Sequence, residues 1–62
     1  MTWIEELMEI LNDEGITDLS SLKTCNDGNF KQFYIDDISE TIKENIINEL
    51  NNLGYNVSFI IF

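Results

Sequence analysis

The sequence predicts a small α+β domain in the order α-β-β-α-β, a hairpin plus a β-α-β crossover, with the helices packed on a three-stranded sheet. Three observations carry this expectation: two stretches with apolar residues at helical spacing, a dense turn signal between two short β-prone segments, and a closing stretch in which polar and apolar residues alternate. With 62 residues there is room for a single domain, spanning 1–62, whose small core makes stability marginal.

From Thr2 to Glu14 the apolar residues are Trp3, Ile4, Leu7, Met8, Ile10 and Leu11, the i, i+3, i+4, i+7 pattern of one helical face. Thr2 is placed to cap this helix, with Glu5 three residues on completing a capping box, and Gly15 supplies the left-handed residue that ends it. Ile16, Leu19 and Leu22 then pin an irregular stretch, Thr17 to Ser21, to the core.

Asn26, Asp27, Gly28 and Asn29 form a turn signal between Leu22 to Cys25 and the aromatic segment Phe30 to Ile35, which predicts a β-hairpin. The competing reading is a helix from near Asn29, because Phe30, Phe33 and Tyr34 also lie at helical spacing and period does not decide so short a run.

In the second helix Ile38, Ile42, Ile46, Leu50 and Leu53 form one stripe flanked by Ile47. Asp37 is the expected cap, with Glu40 as its capping-box partner, and Gly54 the expected stop. From Tyr55 the period becomes two, with Tyr55, Val57, Phe59 and Ile61 on one side and Asn56, Ser58, Ile60 and Phe62 on the other. A strand reached through a helix is expected to cross over and lie parallel to Phe30–Ile35.

The residue inventory excludes much chemistry. Histidine and arginine are absent, and Cys25 is the only cysteine, so no intrachain disulfide, no ordinary zinc site and no metal or cofactor site is expected. Cys25 reads as a small semi-buried hydrophobe, because Lys23 is the only nearby positive charge that could activate it. The segment Lys23 to Tyr34 places Asp27 and Gly28 as in a calcium loop but has Lys23, Cys25 and Tyr34 where ligands belong, so it reads as a turn. With no catalytic constellation and no space for a deep pocket, an enzyme is not expected.

No apolar run is long enough to span a membrane, and the opening residues Met1 to Glu9 mix glutamates with apolar residues, which predicts a cytoplasmic chain. Three lysines against 12 acids give a net charge of −9, which repels nucleic acid and anionic membranes alike. A protein partner with a basic surface is what this balance favours.

The acids are unevenly spread. Glu5, Glu6, Glu9, Asp13, Glu14 and Asp18 fall in the first 18 residues with no lysine among them. Glu5, Glu9 and Asp13 lie at i, i+4, i+8, where like charges oppose the helix by about 0.2–0.5 kcal/mol per pair. The functional reading is a docking face of Glu5, Glu6, Glu9 and Asp13, extended by Asp36, Asp37, Glu40 and Glu44, that meets a basic groove on a partner. A regulator or inhibitor of the kind phages and mobile elements encode, some of which imitate nucleic acid, fits this size and charge. The bland reading is a solvated acidic surface. The alternative function is a structural or accessory homodimer assembled through the apolar terminal residues Phe59, Ile60, Ile61 and Phe62.

Overall fold

A computed structural model of the chain describes residues 2–60. It contains α1 (Trp3–Asp13), β1 (Lys23–Asp27), β2 (Phe30–Tyr34), α2 (Glu40–Asn52) and β3 (Val57–Phe59), in the expected order.

Both helices are closed by the same chemistry. At α1 the Thr2 hydroxyl accepts from the Glu5 N–H while the Glu5 carboxylate accepts from the Thr2 N–H, a reciprocal box. At its other end Gly15 takes φ +81, letting its own N–H reach Asn12 O at 3.0 Å and the Ile16 N–H reach Leu11 O at 2.9 Å. Gly54, at φ +98, does the same for α2, with Gly54 N–H on Asn51 O at 3.0 Å and Tyr55 N–H on Leu50 O at 3.1 Å. These crossed bonds satisfy carbonyls that a helix end otherwise orphans, and a left-handed residue is what permits them.

The α2 cap differs from expectation. Ser39, not Asp37, is the capping residue, its Oγ accepting from Ile42 N–H at 3.2 Å. Asp37 sits two residues earlier in a turn at φ +59, so its side chain is not aligned with the first helical N–H groups and Glu40 opens the helix instead of closing a box. Leu53, counted in the apolar stripe, is the residue after the helix and is 55% exposed.

Phe30–Tyr34 is a strand, and the hairpin loop is the two residues Gly28 and Asn29, because β1 runs on to Asp27, which pairs with Phe30. β2 is the central strand, antiparallel to β1 and parallel to β3. Period two holds in β3: Val57 is buried, Ser58 exposed and Phe59 half-buried.

The core is Trp3, Leu7, Ile10 and Leu11 of α1, Ile46 and Leu50 of α2, and Phe33, Ile35 and Val57 from the sheet side. Phe33 stands beside Phe59 in register and on the same face as Val57, so both helices cover one face of the sheet and the other is open to solvent. β3 is therefore an edge strand with cover on one side. β1 lies beyond the reach of the helices and all five of its residues are exposed, Cys25 included; the semi-buried position expected for that thiol is not found. Among the described residues no buried side-chain polar atom lacks a hydrogen bond.

Candidate functional site

Seven of the 12 carboxylates gather in two groups, each set by how the chain turns. The first lies along the seam where α1 crosses α2. Glu6, Glu9 and Asp13 follow one another at i, i+3, i+7 on the shoulder of α1 beside buried Ile10, and Glu49 stands on the matching shoulder of α2, one residue before buried Leu50. Together with Leu53 they line a groove of about 290 Å³ whose apolar parts are Ile10 and Leu53. Four carboxylates thus stand around two apolar side chains, Ile10 buried and Leu53 exposed, with Asn52 completing the lining.

The second group lies where the loop after α1 meets the turn before α2. Asp18, Asp36 and Asp37 face a hollow completed by Thr17, Ser20 and Ser21. The Ser20 hydroxyl donates to Asp18 Oδ1 at 2.7 Å and the Ser20 N–H to the same atom at 3.1 Å, and these bonds hold the Asp18 carboxyl below the usual carboxylate value. The Tyr34 hydroxyl donates to Asp36 Oδ1, which raises the phenol above its usual value, with partial burial and the charges of Asp36 and Asp37 adding to the shift. Asp36 N–H donates to Ser21 Oγ at 3.0 Å, tying this turn to the loop below it.

The residues singled out from sequence are thus divided. Glu6, Glu9 and Asp13 are brought together, joined by Glu49, which the sequence reading passed over. Asp36 and Asp37 are brought to Asp18 rather than to the α1 row. Glu5 is engaged at the helix cap, its Oε1 also accepting from the Thr2 hydroxyl at 3.1 Å. Glu40 is bound by Lys43 at 2.8 Å, an exposed-carboxylate pair of small energetic weight, and neither Glu40 nor Glu44 lines the groove. Glu49 was findable: three residues after Ile46 and one before Leu50, it flanks the stripe that must face α1.

At the other predicted surface, Phe59 turns inward. Its ring meets Phe33 edge-on at 5.2 Å and Tyr34 at 5.4 Å, and Lys43 Nζ lies 4.8 Å from its centroid. Ile60 is half-buried and its N–H donates to Phe33 O at 2.8 Å. Ile61 and Phe62 lie outside the described residues.

Among the described residues no group of three or more His, Cys, Asp or Glu is arranged to hold a metal ion, and no helix is long and apolar enough to cross a membrane. No protein-family model, curated protein or solved structure was found to match the chain.

Proposed function

We propose that the chain is a small cytoplasmic binding protein, a regulator or inhibitor, that docks its negative surface on a basic site of a partner protein. The groove between α1 and α2 supports this best: Glu6, Glu9, Asp13 and Glu49 surround Ile10 and Leu53, so charge and apolar contact are offered at one place. Charge alone gives steering and speed of encounter, whereas a fixed complex also needs apolar area removed from water. A basic groove that normally holds nucleic acid is one such partner site, with the acid groups taking the place of phosphates.

The competing reading, a homodimer built through the terminal strand, has less behind it because Phe59 is already covered by Phe33, Tyr34 and Lys43 within the chain. Affinity capture from a bacterial lysate compares the wild type with a variant carrying Glu6→Gln, Glu9→Gln, Asp13→Asn and Glu49→Gln, after circular dichroism has shown both folded. A partner retained by the wild type and lost by the variant is expected, with retention falling as salt rises. Equal recovery of every bound protein by both ends the proposal.

A further inference from the structure

We draw no further inference here: the strongest candidate, the face of the sheet turned away from the helices, on which Phe30 is exposed, carries nothing because nothing in the structure shows what covers it.

Discussion

Asp37 is the residue whose conformation departs most from what its neighbours suggest. Asp-Asp before an isoleucine reads as the start of a helix, yet Asp37 adopts φ +59 and the helix waits for Ser39. The reason is the turn itself: Asp36 N–H is held by Ser21 Oγ and the Asp36 carboxylate by Tyr34, so the chain must reverse between a fixed Asp36 and the helix, and Asp37 absorbs the reversal. Aspartate tolerates the left-handed region better than most side chains, and a β-branched residue tolerates it least. Asp37→Gly is therefore expected to leave stability within about 1 kcal/mol of wild type, and Asp37→Val to lower it by about 1–2 kcal/mol. Urea unfolding followed by the fluorescence of buried Trp3 measures both; equal effects of the two substitutions would mean that the left-handed turn is not held.

Elements were legible where period and punctuation agreed. The stripes predicted α1 and α2, the glycines their ends, and the alternation from Tyr55 the last strand, because burial on one face imposes these periods directly. Phe30–Ile35 was open between strand and helix, since aromatic residues at i, i+3 and i+4 suit either; the strand forms because a two-residue loop at Gly28 and Asn29 folds β2 back on β1. The exposure of β1 was not legible, because Leu22 to Cys25 resembles a buried strand end and only the one-sided placement of the helices leaves it bare. The α2 cap gives a direct check at this scale. Ser39→Ala is expected to cost about 1 kcal/mol by removing the bond to Ile42 N–H, and thermal or urea unfolding measures it; a variant as stable as wild type would mean that this bond does not hold the helix start.

For the whole molecule, the governing quantity is a charge of −9 on a body 27 × 24 × 19 Å across. The acid count was plain in the sequence, but its partition was not: which shoulders of α1 and α2 meet depends on helix packing, and that placed Glu49 with Glu6, Glu9 and Asp13 while it sent Asp36 and Asp37 to Asp18. At about 10 mM salt the screening length is about 30 Å, so nearly every acid repels every other; at about 150 mM it is about 8 Å and only neighbours do. Raising sodium chloride across that range is expected to increase folding stability by on the order of 1 kcal/mol, read in urea, which leaves ionic strength unchanged. The four-carboxylate variant of the groove removes the densest part of the repulsion, so it is expected to be more stable than wild type at low salt and less responsive to added salt. If neutralising Glu6, Glu9, Asp13 and Glu49 leaves both low-salt stability and the salt response unchanged, these side chains are too well solvated to repel one another. The groove would then lack the concentrated field that electrostatic docking requires.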